Sequence, residues 1–147
     1  MSDAMTPDTA LCTYVVHQWN CDHFGHLNVR HYAAAFDDAI FIFWGVIGNR
    51  PAEGGPFPVS AEVKIGFRHE ALAGTIATIS ASVTKVGTKS VGLRFDMVDR
   101  GDGRLLALCD VVEVFIDPAT RESCAIPAVL REALTQDRCP GRLHPLV

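Results

Sequence analysis

The chain of 147 residues has no Cys-x-x-Cys pair, no excess of basic side chains and no apolar run near the ~20 residues that a membrane-spanning helix needs. Each lack removes a class of protein. With 13 Lys and Arg against 17 Asp and Glu, the formal net charge is -4, so a phosphate backbone is not expected as partner. Five cysteines, Cys12, Cys21, Cys109, Cys124 and Cys139, are scattered and odd in number. That pattern suits a reducing compartment rather than a disulfide framework, and it offers no zinc spacing. Residues 1–9 lack the basic and apolar blocks of a signal peptide, which makes a soluble cytoplasmic protein without membrane partner the expectation.

What the chain does have is apolar content of 48% against 20% charged, enough for one domain over residues 1–147 with a sizeable core. No repeat, low-complexity tract or linker divides it. Residues 13–19, rich in β-branched and aromatic side chains, predict a strand. From about residue 30 to 47 the pattern is helical: Tyr32, Phe36, Ala39, Ile40, Phe43 and Ile47 form a stripe. Ala33, Ala35, Phe41, Ile42, Trp44 and Val46 make most of the remaining surface apolar as well. A helix apolar nearly all round is expected to be buried. Asn28 can cap its start, and Gly48-Asn49-Arg50-Pro51 can stop it.

After a connection rich in Pro and Gly at 53–58, the period changes to two. Residues 59–67 predict a strand, and so do the alternating segments 77–84 and 91–98 and the longer apolar run 105–116. Val86-Gly87-Thr88-Lys89 predicts a hairpin, residues 99–103 a turn, and Pro127 the first turn of a short helix ending near Leu134. One strand, a buried helix and a run of antiparallel strands make an α+β fold with its helices on one side of a curved sheet.

Just ahead of the long helix stands Asp22-His23-Phe24-Gly25-His26-Leu27-Asn28. It combines a carboxylate, two imidazoles, a glycine and a capping amide beside backbone N–H groups that have no intrahelical acceptor and can polarise a carbonyl. From the residues alone, Asp22 can equally be a turn aspartate bonded to its own backbone. Gly25 can serve close approach of a substrate or simple turn geometry. His17, His23, His26 and His31 lack the spacing of a metal site, and no metal is expected.

With Tyr32 and Phe36-Asp37-Asp38-Ala39, this segment resembles the D-x-x-G-H-x-N…Y…F-x-x-A signature of the 4-hydroxybenzoyl-CoA thioesterase-like hotdog proteins. Phe67-Arg68-His69-Glu70-Ala71, Gly74, Val86-Gly87 and Lys89-Ser90 are similar to later parts of the family pattern, and the resemblance covers residues 13–134. It implies a hotdog fold, a curved antiparallel sheet wrapped around a long central helix, and an acyl-CoA thioesterase that releases a carboxylic acid and free CoA. It makes Asp22 the general base or nucleophile, the Val29 backbone N–H the oxyanion donor, and Gly25 the residue that lets the loop approach the thioester. His23, His26, Asn28 and Tyr32 would line the substrate site. Lys85, Lys89 and Ser90, with Arg94 nearby, would meet the coenzyme, and no cofactor is needed beyond CoA as part of the substrate.

Two departures matter. Asn20 stands where many relatives have a second aspartate, and the D-x-N-P-x-H pattern of hotdog hydratases is absent. A non-catalytic acyl-thioester-binding protein on the same fold, or a dehydratase or hydratase, are the alternatives. Glu70 is expected to end a strand rather than take part in chemistry. The acyl group stays open: residues 120–123 and 126–127 are similar to thioesterases of carnitine and betaine metabolism, while the aromatic helix suits aromatic acyl groups equally. Hotdog chains pair their sheets, and strands 91–98 and 105–116 would leave costly free edges in a monomer. A homodimer or homotetramer with a shared site is therefore expected.

Overall fold

A computed structural model describes residues 10–49 and 54–135. Arg50, Pro51 and Glu53 of the expected helix stop and connection, residues 1–9 and Cys139 lie outside these. The elements are β1 (Ala10–Val15), α1 (Val29–Ile47), β2 (Phe57–Phe67), β3 (Ile76–Val86), β4 (Ser90–Asp99), β5 (Leu105–Ile116) and α2 (Ala128–Thr135). The five strands form one antiparallel sheet in the order β1-β3-β4-β5-β2, a hotdog fold of α+β class.

Alternation decides which side chains enter the core. Ala77, Ile79, Ala81 and Val83 of β3, Val91, Leu93, Phe95 and Met97 of β4, and Cys109, Val111 and Phe115 of β5 are buried toward α1. Across the gap α1 contributes Tyr32, Ala35, Phe36, Ala39, Ile40, Phe43, Trp44 and Ile47. Phe43 stands edge-on to Phe95, and Trp44 edge-on to Phe115. Asn28 Oδ1 accepts from Arg30 N at the helix start, and Gly48 ends the helix at φ 109°, where a Cβ would be strained.

Three expectations need correction. The first strand stops at Val15, not Trp19: Val16 turns into the core and pairs with the loop before β3 (Val16 N to Thr75 O, 2.9 Å), and a 3₁₀ turn follows at Gln18–Asn20. The cause is local, since the Asn20 side chain accepts from His17 N at 3.0 Å and closes the turn against continued extension. Helix α1 is not enclosed on all sides. The sheet covers one face, while Phe41 (70% exposed) and Val46 (54%) remain open in the single chain. Nor are β4 and β5 edges: they lie inside the sheet, and the edges are β1 and β2.

Candidate active site

The loop from Asp22 to Asn28 is built by its own backbone. Asp22 N donates to His26 O (2.8 Å), and Gly25 N donates to Asp22 O (3.0 Å), closing a turn in which Gly25 takes φ 83°. The Asp22 side chain completes it: Oδ1 accepts from Phe24 N at 2.9 Å and from His26 N at 3.1 Å. Both bonds fall on one oxygen. Oδ2 is left with no partner among the described residues, and the carboxyl is partly open to solvent. The His26 backbone hydrogen bond, more than any other influence, holds the Asp22 pKa below the usual aspartate range; Phe24 N and the two neighbouring imidazoles act in the same direction.

Asn28 ties this turn to α1. Its backbone N donates to Asn20 O at 2.9 Å, its side chain receives Arg30 N at 3.1 Å, and its carbonyl receives His31 N at 2.9 Å. These bonds use the N–H groups on either side of Val29 and leave the Val29 N–H at the exposed helix start. Asn20, read in the sequence as a departure, thus anchors both the 3₁₀ turn and the helix cap.

Leu27 N donates to Ala71 O at 2.8 Å and so docks the loop on the segment after β2. This brings Glu70 to His26: its Oε2 pairs with His26 Nε2. The contact runs across 44 residues of sequence, beyond the reach of local pattern. The His23 ring packs 4.0 Å from Phe24, both exposed at the turn. Tyr32, 4% exposed, stands edge-on to Phe67 with centroids 5.0 Å apart, and burial raises its pKa. Asp22, His23, Gly25, His26, Asn28, Val29 and Tyr32 therefore gather where α1 begins and β2 ends.

Lys85, Lys89 and Ser90 are not brought to them. They lie on the β3–β4 hairpin, whose turn is closed by Gly87 N to Ser90 O at 2.8 Å. The Asp22 loop instead contacts residues 70–72, shortly before β3 begins at Ile76. The 11 residues of β3 separate the two groups. At about 3.3 Å per residue, that is on the order of 30 Å within one chain. Arg94 is engaged elsewhere, bonded through Nε to Asp110 Oδ1 at 2.9 Å and through Nη2 to Oδ2 at 3.1 Å.

At the hairpin end sits a group that the reading of the motifs passed over. Glu113 on β5 is 1% exposed, with Oε1 accepting from Trp44 Nε1 at 2.8 Å and Oε2 bonded to Ser60 Oγ. It lines a cleft of about 530 Å³ between the second half of α1 and the start of β2. The signal was present in the alternation of Cys109, Val111, Glu113 and Phe115, which puts a carboxyl at an inward position of an apolar strand.

A model of the thioesterase-like superfamily matches residues 15–134. Among the curated proteins no sequence matches. Similar solved structures include the probable thioesterase YbaW from Escherichia coli (21% identity, 82% of this chain and 92% of that one, TM-score 0.71). A second is Slr0204, a 1,4-dihydroxy-2-naphthoyl-CoA thioesterase from Synechocystis (14%, 84% and 93%, TM-score 0.73). A third is SAV2348 from Staphylococcus aureus in complex with CoA (21%, 82% and 78%, TM-score 0.77). At these identities the likeness is one of fold.

Proposed function

Because the chain belongs to the thioesterase-like superfamily, we propose that it hydrolyses an acyl-CoA thioester to a carboxylic acid and free CoA at the Asp22 loop. The observation that carries this reading is the Asp22 carboxyl itself, with Oδ1 fixed by two backbone N–H groups and Oδ2 unoccupied beside the start of α1. The thioester carbonyl oxygen lies on the Val29 N–H, which stabilises the charge that develops there; losing such a donor costs about 3–4 kcal/mol of transition-state stabilisation. Gly25 keeps the turn low enough for this approach.

The ionised carboxylate serves attack on the thioester carbon or proton abstraction from water, and of the two the open Oδ2 beside the proposed carbonyl site favours attack. Oδ2 adds to the thioester carbon, the C–S bond breaks, and CoA leaves as the thiolate to be protonated by solvent. Water then cleaves the resulting anhydride, returning the carboxylate and the acid. His26 is a positioning residue: its backbone clamps Asp22 while its ring is tied to Glu70. Asn28 holds the helix start, and Tyr32 and His23 border the acyl path. No metal or further cofactor is required by this chemistry.

The working unit is a homodimer joined along β2, itself able to pair into a tetramer. β2 is an 11-residue edge strand with Val59, Val63 and Phe67 exposed, and its start shares a cleft with the open Phe41 of α1. A free edge of this length and apolarity invites pairing. Antiparallel pairing of β2 with its copy about a two-fold axis sets the Asp22 end of one protomer beside the hairpin end of the other. Lys85, Lys89 and Ser90 then meet the CoA phosphates of a substrate held at the partner's loop, which reconciles their distance from Asp22 in one chain. A neighbour of the same fold holds CoA. Thiol release from a panel of acyl-CoAs tests the activity: hydrolysis of at least one member is expected. Tight binding of acyl-CoA without thiol release would replace the enzyme by a thioester-binding protein.

A further inference from the structure

We infer that the cleft around Glu113 is an acyl-end pocket that selects acyl groups carrying a hydrogen-bond donor, hydroxyl or ammonium, at their far end. The inference rests on the thioesterase reading and adds its substrate class. Three observations carry it. The first is the position of the carboxyl: at 1% exposure on an inward-facing strand site, Glu113 has been taken from water into an apolar core, a costly placement unless its oxygens are bonded. The second is what it is bonded to. Among the described residues Trp44 Nε1 satisfies Oε1 and Ser60 Oγ meets Oε2, one partner each, while two carboxyl oxygens can accept about four hydrogen bonds. Acceptor capacity therefore remains.

The third is the lining. The cleft of about 530 Å³ is walled by Ile40, Phe41, Trp44, Phe57, Pro58 and Val59, and among the described residues its ionisable groups are Glu113 and Asp37, with no Lys, Arg or His in its lining. Apolar walls around a few convergent polar groups of one sign describe a site for an apolar body ending in a donor. An anionic acyl end is disfavoured there. Position agrees with this use: Glu113 pairs across the strands with Val91 and Ser60, at the hairpin end of the sheet and near the start of β2. Dimerisation along β2 brings that end to the partner's Asp22 loop, so a thioester attacked by one protomer extends its acyl chain into the other.

The test uses CoA thioethers, which cannot be hydrolysed and so read binding apart from catalysis. Alkyl chains of about four to ten carbons ending in hydroxyl, amino or methyl are titrated against Trp19→Phe protein. Trp44 is then the single tryptophan, and its fluorescence reports the pocket directly. At one or more chain lengths the hydroxyl or amino compound should bind about tenfold more tightly than its methyl-ended match, and Glu113→Gln should reduce that preference below about threefold. The comparison of ligands on Trp19→Phe protein stands by itself if Glu113→Gln does not fold. Binding within twofold for all three ends at every length, or none at all, overturns the inference. A donor preference in protein that releases no thiol from any acyl-CoA keeps the pocket and removes the thioesterase reading.

Discussion

The two ends of this molecule hold a carboxyl each, and hold it in opposite ways. Asp22 sits in a partly open turn and is fixed by backbone N–H groups supplied by its own four-residue neighbourhood. Glu113 is buried in the sheet and is met by side chains 53 and 69 residues away in sequence. The first arrangement favours the ionised carboxylate and leaves Oδ2 open on the side where the proposed substrate would arrive. The second keeps a carboxyl dry, within apolar walls, where it can read the end of a ligand. Reaction and selection are thus proposed for opposite ends of the same sheet, about 20–25 Å apart in one chain at the usual strand rise over the seven-residue step from Ser60 to Phe67. In the proposed dimer the two become neighbours.

The sharpest way to break this contrast is subunit mixing. Asp22→Asn protein and protein carrying Lys85→Ala with Lys89→Ala should each be weakly active at low acyl-CoA. A mixed dimer holds one doubly damaged site and one intact site. Activity should therefore return toward a quarter of wild type in an equal mixture, where half of the dimers are hybrid. No gain over the mean of the two variants would place each site within a single chain. The lysine variant should also raise KM for acyl-CoA several-fold while sparing the corresponding pantetheine thioester, which lacks the nucleotide phosphates.

Stability separates the ends next. Glu113→Ala leaves the Trp44 indole N–H buried without its acceptor and opens a void at the β5–α1 contact, and should cost about 2–4 kcal/mol in urea unfolding. Glu70→Ala removes the His26 contact of a carboxylate side chain that is 56% exposed, and should cost less than about 1 kcal/mol. Similar losses for the two would contradict the division into a buried and an open carboxyl.

How far the sequence reveals this contrast depends on the range of each contact. The stripe on α1, the alternation in β3 and β4, the hairpin at Gly87 and the cap at Asn28 are all written in residues a few positions apart, and all are found where the pattern predicts them. Val16 leaves β1 early because an asparagine four residues on closes a turn that strand propensity does not register. The His26–Glu70 pair and the strand order depend on chain-distant docking. Without the order, β4 and β5 look like edges. Glu113 is the instructive case: its inward position follows from the alternation of β5, but its partners Trp44 and Ser60 require the fold.

A smaller effect is the pH response. Since hydrogen bonds from His26 and Phe24 lower the folded pKa of Asp22 from its ordinary 3.8, protonation is deferred to more acid solution. The acid limb of kcat/KM should therefore lie below pH 3.8, and the loop's contribution to stability, fully present above that value, should be lost as pH falls through the lowered one. A limb near pH 6 would point to a histidine as the essential group. Smallest of all, the Cys109 thiol, pushed up to about 12 by burial and then by Asp110, should stay unmodified by thiol reagents in native protein and react only on unfolding.

The most direct measurement is the rate of CoA thiol release by wild-type and Asp22→Asn proteins, side by side, on the best substrate of an acyl-CoA panel. The amide keeps the side-chain shape and one oxygen for the Phe24 and His26 N–H groups, but it is neither a carboxylate nucleophile nor a useful base. The value of kcat should fall at least about 100-fold with the fold preserved. Turnover within a few-fold of wild type would contradict the assignment of the reaction to the Asp22 loop.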